Sequence, residues 1–507
     1  MILSFSAQMR EADRYAIENL GIESTVLMQN AAEHVANAAM EHLPPGKCAA
    51  VVCGTGNNGG DGIGAAAYLL RKGVPVRVFL VGNTKKITAD SKEMLSRYSS
   101  LGGVTEAFCL SETILAYLEQ CAVIIDAMFG IGLNSDLSGD ARLAAEMINH
   151  SNALVISADI PSGVNADTGA VLGYAVNADI TVTFTRAKPG HFIEPGCACC
   201  GQLRVRDIGI PDSAIDITDC GVYAVFAENV FLPARNPVTH KGDYGRCLIA
   251  AGSVGYTGAP ALSARAASRM GAGLVYLGVP EPVYEIMAHK LDEEMPFPLP
   301  SDSKGRLAAT AAGELIRRAS HCDSLLIGPG LGQSDEITEL VNSALQLSKT
   351  PIVLDADGIN AISGNISAIR SASCPLILTP HPGEFLRLNK DFSSKDRLAA
   401  ARAFAREHGC ILVLKGHRTI TAMPDGTAYI NTTGGPALAK AGSGDVLAGM
   451  IAALVGQRLP IKDAVLTAVF LHGLAGDMCA ELLSDYSVTA SDVISMLPKA
   501  ILSGASR

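Results

Sequence analysis

Two series of short apolar runs, each giving way to a helical pattern, constrain this chain more than any other feature. In the first series the runs fall at 49–53, 76–81, 122–126, 153–158, 179–185 and 203–205, with helix-like stretches such as 64–71 and 141–149 between several of them. Runs of this length read as buried strands. Their alternation with helices implies a mostly parallel sheet covered on both faces. A second series follows at 246–251, 274–279, 324–327, 352–354, 376–379 and 411–414. A hairpin-like stretch comes next, 419–423 and 427–431 about a turn at Pro424, Asp425 and Gly426. Residues 8–43, 445–454 and 462–482 carry apolar positions at helical spacing.

At 507 residues the chain is long enough for at least two cores. The stretch 231–237 holds Pro233 and Pro237 without a clear period and reads as a linker. The expected boundary lies near 215–230, with domains at 1–220 and 225–507. The expected fold class is α/β, as two three-layer α/β/α domains.

Hydrophobic residues make up 48% and charged residues 18%, a globular composition. The net charge of -10 argues against nucleic acid as the main partner, since no excess of cations is present to displace counterions. Small anions remain possible ligands, because helix N-termini bind phosphate through backbone N–H groups. The 13 cysteines follow no metal-like spacing, and the cluster Cys197, Cys199, Cys200 has no second Cys or His cluster nearby, so reduced thiols are expected. The first residues meet charge at Arg10 and Glu11, unlike a signal peptide, and no run of 18 apolar residues occurs. A cytoplasmic protein with no membrane partner is expected.

The run 49–53 leads into 54–62, where five glycines in nine residues stand beside Asn57, Asn58 and Asp61, and then into a helix. Glycines let backbone approach a ligand, and the helix start favours an anion. A bare strand-to-helix turn would not need those side-chain oxygens. Asp126 and Asp159 each end a further run, followed by 127–133 and 160–163. Either alone could be a helix cap. Together they converge on one crevice, since ligands of open parallel sheets bind outside the carboxyl ends of the strands.

These segments, with 185–190, 9–13 and 21–30, resemble the NAD(P)H-hydrate epimerase domain over nearly all of 1–215. The resemblance implies a Rossmann-like fold in which Asn58, Asp126 and Ser162 hold a potassium ion (K+). It places Asn57, Asn58, Gly59, Gly60 and Asp61 on the hydrate, with Gly130, Ile131, Gly132, Leu133, Asn134, Ser135 and Asp136. Asp159 would bind the hydrate and take part in catalysis. Lys188 and His191 are further candidates, each equally readable as a solvated loop residue.

In the second half, 441–445 opens a helix with successive small residues ending in Asp445. Such N–H groups can receive a phosphate in transfer, and an Asp at their edge can act as general base toward a hydroxyl. The plain alternative is an Asp stabilised by the helix dipole. The loops 252–259, 328–332 and 379–384 each follow an expected strand, and 415–419 brings Lys415 and Arg418 to the same edge, which suits phosphate. Over roughly 230–505 this set resembles the ribokinase-like superfamily, and within it the ADP-dependent NAD(P)H-hydrate dehydratase. By that resemblance Ala259, Gly330, His381 and Asp445 contact the hydrate. Lys415, Gly416, His417, Arg418, Thr419 and Gly444 contact the nucleotide, and Glu384 helps position magnesium (Mg2+).

The two resemblances together imply repair of hydrated NADH and NADPH. The R and S hydrates would be interconverted, and the S hydrate dehydrated at the expense of ADP with release of AMP and phosphate, by a homo-oligomer. A vitamin or sugar kinase would explain only the second half. A nucleotide-sensing scaffold without catalysis would leave Asp159 and Asp445 idle.

Overall fold

A computed structural model describes residues 1–216 and 220–504. The chain divides into two compact units, Ile2–Val222 and Tyr223–Arg507, the second also counting Met1. Residues 217–219, close to the expected boundary, and 505–507, at the expected end of the second domain, lie outside the described residues.

The first unit is built on a seven-stranded sheet. Its strands are β1 (Ala49–Cys53), β2 (Val76–Leu80), β3 (Val104–Ala107), β4 (Val123–Ala127), β5 (Leu154–Ala158), β6 (Ile180–Phe184) and β7 (Gln202–Arg206). All pair in parallel, in the order β3-β2-β1-β4-β5-β6-β7. This is the Rossmann-like order, and it reverses between β1 and β4, where such sheets open a crevice. Alternate residues of β1 explain the three layers. Ala49, Val51 and Cys53 join a core with the helices Ser24–Met40 and Asn57–Arg71. Ala50 and Val52 join a second core with Ile114 and Leu118 of Glu112–Gln120 and Ala144 and Ile148 of Gly139–His150. Strands buried on both faces must be apolar throughout, which is why they stand out as runs. Edge strand β3 does not, because Thr105 and Glu106 interrupt it and Val104 is 49% exposed. The helical stretch 8–43 is two helices, Ser6–Glu18 and Ser24–Met40, parted near Gly21 at φ +70°.

The second sheet has ten strands: β8 (Val222–Val225), β9 (Arg246–Ala250), β10 (Leu274–Pro280), β11 (Met295–Leu299), β12 (Ser324–Ile327), β13 (Ile352–Leu354), β14 (Leu376–Leu378), β15 (Ile411–Leu414), β16 (Ile420–Ala422) and β17 (Ala428–Asn431). They lie in the order β11-β10-β9-β12-β13-β14-β15-β16-β17-β8. The run from β11 to β15 is parallel, and β15, β16 and β17 form the antiparallel hairpin. Two strands differ from the sequence expectation. β11 carries Pro296 and Pro298, which a sheet tolerates at an edge, and β8 lies inside the stretch taken as the boundary. One face of the sheet, with Ile249, Leu277, Leu326 and Val413, is covered by Gly258–Arg269, Ser443–Gly456, Ile461–Leu483 and Ala490–Gly504. Intervening residues such as Leu248 and Leu325, also 0% exposed, point to the other face. There Ala312–Ala319 and Arg397–His408 pack on β9 and β15.

Ile461–Leu483 is, by length and composition alone, apolar enough to cross a membrane. Here it packs between Ser443–Gly456 and Ala490–Gly504 and buries Thr467 and His472, as the core helix of this domain.

Gly449 lies within Ser443–Gly456 where that helix meets Gly258–Arg269, and a β-carbon on it would stand 2.2 Å from the Ser263 carbonyl oxygen. Replacing a helical glycine by alanine ordinarily gains at most about 1 kcal/mol. Overpacking against backbone costs roughly 1–3 kcal/mol. Gly449→Ala is therefore expected to lower the melting temperature, which thermal denaturation followed by circular dichroism will read.

Candidate active sites

The first unit holds a cleft of about 760 Å³, lined by Asn57, Asn58 and Asp61 after β1, by Gly130, Ile131, Gly132 and Leu133 after β4, and by Asp159 after β5. Met9, Arg10 and Asp13 of the first helix and Lys188 also line it. The helix Asn57–Arg71 starts at the cleft without a side-chain cap, leaving its first N–H groups for a ligand. Gly59 and Gly60 do not line the cleft. A β-carbon on Gly59 would stand 2.0 Å from the Gly54 carbonyl oxygen, and one on Gly60 2.6 Å from Met28 Sδ, so both serve close packing. Asn134, Ser135 and Asp136 are exposed and lie outside the lining.

Asp159 sits at φ +65° and Thr185 at φ +63°, conformations that cost non-glycine residues roughly 1–3 kcal/mol each. The strained turn brings Asp159 Oδ1 within 2.5 Å of Lys188 Nζ, and Thr183 Oγ1 donates to the same oxygen at 3.0 Å. Lys188 is only 2% exposed. Burial works to raise the Asp159 pKa, but the Lys188 charge and hydrogen bond outweigh it and hold the carboxylate below its usual range. His191 accepts the Lys188 N–H on Nδ1 at 2.9 Å, which leaves Nε2 to donate to the Asp159 carbonyl at 2.8 Å. Burial and the Lys188 charge push its pKa down to about 4, so it is a neutral strut. Asp61 is pushed well above the usual value by burial and the charges of Asp159 and Asp13. Asp13 rises to about 6 from burial and Asp159, against Lys188. The cleft thus sets Asp159, held below the usual carboxylate range, beside Asp61, held well above it.

Asn58 Oδ1 is buried without a hydrogen-bond partner, and a β-carbon on Gly130 would stand 3.1 Å from it and 3.0 Å from Asp159 Oδ2. Asp126 is different. It is fully buried and takes hydrogen bonds from Ser157 Oγ, Ser162 N, Ser162 Oγ and Met128 N. Ser162 Oγ in turn accepts the Phe129 N–H at 2.9 Å, so Asp126 and Ser162 seat the loop that carries Gly130.

The second unit holds a cleft of about 830 Å³ lined by His381, Glu384, Lys415, Gly416, His417, Thr419, Gly444 and Asp445. Helix Ser443–Gly456 begins there at Gly442 (φ +90°) with no side-chain cap and Asp445 in its first turn. Burial and the Asp355 charge push Asp445 up to about 7, Asp357 adds to this, and Lys415 opposes it. Ala259 and Gly330 lie together outside this lining: a β-carbon on Gly330 would be 3.2 Å from that of Ala259, and Ser253 Oγ donates to the Gly330 carbonyl. Arg418 turns away from the lining and donates to the Thr432 carbonyl. Sequence reasoning passed over Asp355, whose Oδ1 holds Lys415 Nζ at 2.6 Å. The signal was present, since Asp355 follows a strand as Asp159 does.

Residues 24–190 match the family model described as YjeF-related protein N-terminus, and residues 247–499 that described as NAD(P)H-hydrate dehydratase. The bifunctional NAD(P)H-hydrate repair enzyme of Moorella thermoacetica is 39% identical over 98% of this chain and 96% of its own. The chain belongs to the bifunctional NAD(P)H-hydrate repair enzymes. As such a repair enzyme it joins an epimerase, an isomerase, to a dehydratase, a lyase, and acts on small nucleotide substrates. Among solved structures, a ribokinase-like superfamily protein from Enterococcus faecalis is 27% identical with a TM-score of 0.50, covering 56% of this chain and 97% of that one. It agrees with a ribokinase-like second domain. An ADP/ATP-dependent NAD(P)H-hydrate dehydratase from Bacillus subtilis, co-crystallised with ATP/Mg2+, is 31% identical with a TM-score of 0.48, covering 55% of this chain and 98% of that one.

The Lys188–Asp159 pair of the epimerase domain makes a stability prediction. Asp159 has a lowered folded-state pKa, so its contribution is present above the unfolded value near 4 and lost as pH falls through the folded one. Lys188→Met leaves a buried carboxylate without its counter-charge, at a cost of about 3–5 kcal/mol. The sign of the pH dependence then reverses, because burial alone raises the pKa and the variant must take up a proton to fold. Melting temperatures are expected to fall well below wild type at pH 7 and to recover part of the gap at about pH 5.

Proposed function

We propose that the first domain interconverts the R and S hydrates of NADH and NADPH, and that the second uses ADP to return the S hydrate to NAD(P)H with release of AMP and phosphate. The observation that carries this reading is the second cleft. An aspartate pushed up to about 7 stands in the first turn of an uncapped helix, with Lys415 on the facing wall. A base near neutrality beside open N–H groups suits transfer of a phosphoryl group to a hydroxyl.

The hydrate carries a hydroxyl on C6 of the reduced nicotinamide ring, and hydroxide leaves poorly. Asp445 takes the hydroxyl proton, the oxygen attacks the β-phosphorus of ADP, and AMP departs. The N–H groups at the helix start stabilise the phosphoryl group in flight. The ring nitrogen lone pair then expels phosphate from C6, and loss of a C5 proton restores the double bond. Lys415, Gly416, His417, Thr419 and Gly444 hold the nucleotide in this reading, with Arg418 bracing their loop. His381 meets the hydrate on the cleft wall, and Ala259 and Gly330 meet it beyond. Glu384 is buried, accepts the His381 N–H at 2.8 Å and lies 3.9 Å from Lys415 Nζ. Glu384 would help hold magnesium beside the nucleotide. Magnesium, when bound, screens the phosphate charge.

In the epimerase domain, Asp159 accepts the C6 hydroxyl proton as the C6–N1 bond opens, and Asp61 supplies a proton to the ring nitrogen. Reclosure on the other face reverses both transfers. Environments that separate the pKa values of two carboxyl groups assign their roles. Asn57 and the turn from Gly130 to Leu133 hold the hydrate. The orphaned Asn58 Oδ1 fits a hard cation, and Asp126 with Ser162 would complete a potassium site if one of their mutual hydrogen bonds yields. Potassium, when bound, would supply a fixed positive charge beside Asn58.

Two tests follow from these roles. Asp445→Asn is expected to lower dehydration by roughly 100-fold or more while leaving epimerisation intact. Asp159→Asn is expected to do the reverse, so that mixed hydrate stalls once the S form is consumed. In the wild type, a base with its pKa at about 7 loses activity as pH falls through that value, so kcat/KM for dehydration should decline on the acid side of neutrality. Dehydration at wild-type rate in Asp445→Asn, read by NADH absorbance, would remove Asp445 from the mechanism.

The donor is tested by the spent nucleotide. AMP is expected to appear one for one with NADH, and ATP to serve poorly. Accumulation of ADP from ATP, with no turnover of ADP itself, would overturn the donor and leave the dehydratase in place. Chromatography of the reaction mixture separates the two.

A further inference from the structure

Asp355 follows β13 directly, is 1% exposed, and lines the second cleft. Its Oδ1 accepts from Lys415 Nζ at 2.6 Å and from Thr379 Oγ1 at 2.7 Å. The ends of β13, β14 and β15 therefore meet on one carboxylate. A β-carbon placed on Gly444 would stand 3.3 Å from Lys415 Nζ and 3.9 Å from Asp355 Oδ2, so the pair faces the start of Ser443–Gly456. The backbone is bent to put it there. Ala356 has φ 47° and ψ -116°, the first inner position of a type II′ turn closed by the Gly358 N–H on the Asp355 carbonyl at 2.9 Å. Glycine is the usual residue at such a position. Strain of this kind persists where the surroundings over-determine a conformation, and it gathers at functional sites.

A buried ion pair can serve the fold alone, and such pairs add little net stability. This one lines the cleft, is reached through a strained turn, and acts on the charge of Asp445. We propose that Asp355 is a positioning residue of the dehydration step: it fixes Lys415 beside the helix start where the transferred phosphoryl group is to lie, and it sets a negative charge behind Asp445. The inference rests on the reading of Asp445 as the base.

The charged groups acting on Asp445 are Asp355 and Asp357 from the turn after β13, and Lys415 from the end of β15. Glu384 stands against Lys415. His472, from Ile461–Leu483, faces Ser443 Oγ at 3.2 Å and is neutral, its pKa pushed down to about 4 by burial. Removing the Asp355 charge leaves Lys415 less opposed, so the Asp445 pKa must fall.

The test is Asp355→Asn in the full-length enzyme, which keeps an oxygen for Lys415 and Thr379 and removes only the charge. Dehydration of the hydrate with ADP and magnesium is followed between about pH 5.5 and 8.5. The acid limb of kcat/KM is expected to move down by about one pH unit, the plateau kcat to fall about tenfold because the base is weaker, and the ADP KM to rise several-fold. Thr379→Val removes one anchor of Asp355 and leaves its charge, so it should raise the ADP KM without moving the limb. A structural role alone would lower the melting temperature or the active fraction and leave the limb in place. An unmoved acid limb in Asp355→Asn, or a wild-type ADP KM in Thr379→Val, overturns the inference. Should Asp445→Asn retain dehydration, the reading of Asp445 falls and this inference with it. If Asp445→Asn is inactive while Asp355→Asn matches wild type, only the inference about Asp355 falls.

Discussion

In both domains a mostly parallel sheet is pressed between two layers of helices, so its central strands have no solvated face. Polar chemistry is excluded from the strands and collects where they end. Asp126, Asp159 and Asp355 each stand at the carboxyl end of a strand, and each is buried. An ion in such a place must find a partner or give up its charge. The three find different answers. Asp159 takes Lys188, and Asp355 takes Lys415. Asp126 takes only hydroxyl and amide donors, and its pKa is raised because burial outweighs them. The first two answers keep a full charge pair at the lip of a cleft. The third ties down a loop.

Those two pairs govern the remaining carboxyl groups. With Asp159 held ionised, Asp61 is pushed toward its protonated form. With Asp355 held against Lys415, Asp445 is brought to about 7. In each cleft one aspartate is fixed by a lysine and a second is tuned by the first. The two sheets reach the same arrangement because in both the carboxyl groups collect at strand ends, where a buried carboxylate that keeps its charge needs a lysine and its charge then acts on its neighbour.

The central strands were legible in the sequence because burial on both faces forces continuous apolar runs. β3 and β11 were not, since an edge strand accepts Glu106 or Pro298, and β8 was lost in a stretch read as boundary. The glycine-rich loop after β1, Asp126 at the end of β4 and Asp159 after β5 stood out as well, because clustered glycines and buried carboxyl groups are costly unless packing, hydrogen bonds or a ligand offset them. The lysine partners were harder. Lys188 lies 29 residues from Asp159 and Lys415 lies 60 from Asp355, and only the folded sheet sets their side chains together. Within the loops, residue type does not tell a glycine that meets a ligand from one that meets its own chain, as Gly59 and Gly60 do.

The division of one polypeptide into two compact units, each closing its own core, has a consequence for flux. On this chain every copy of the isomerase is made with one copy of the lyase, so raising or lowering its expression leaves their ratio unchanged. The balance between the two activities of this chain is then set by their kinetic constants. A substitution that slows one centre cannot be offset by making more of that centre without making equally more of the other.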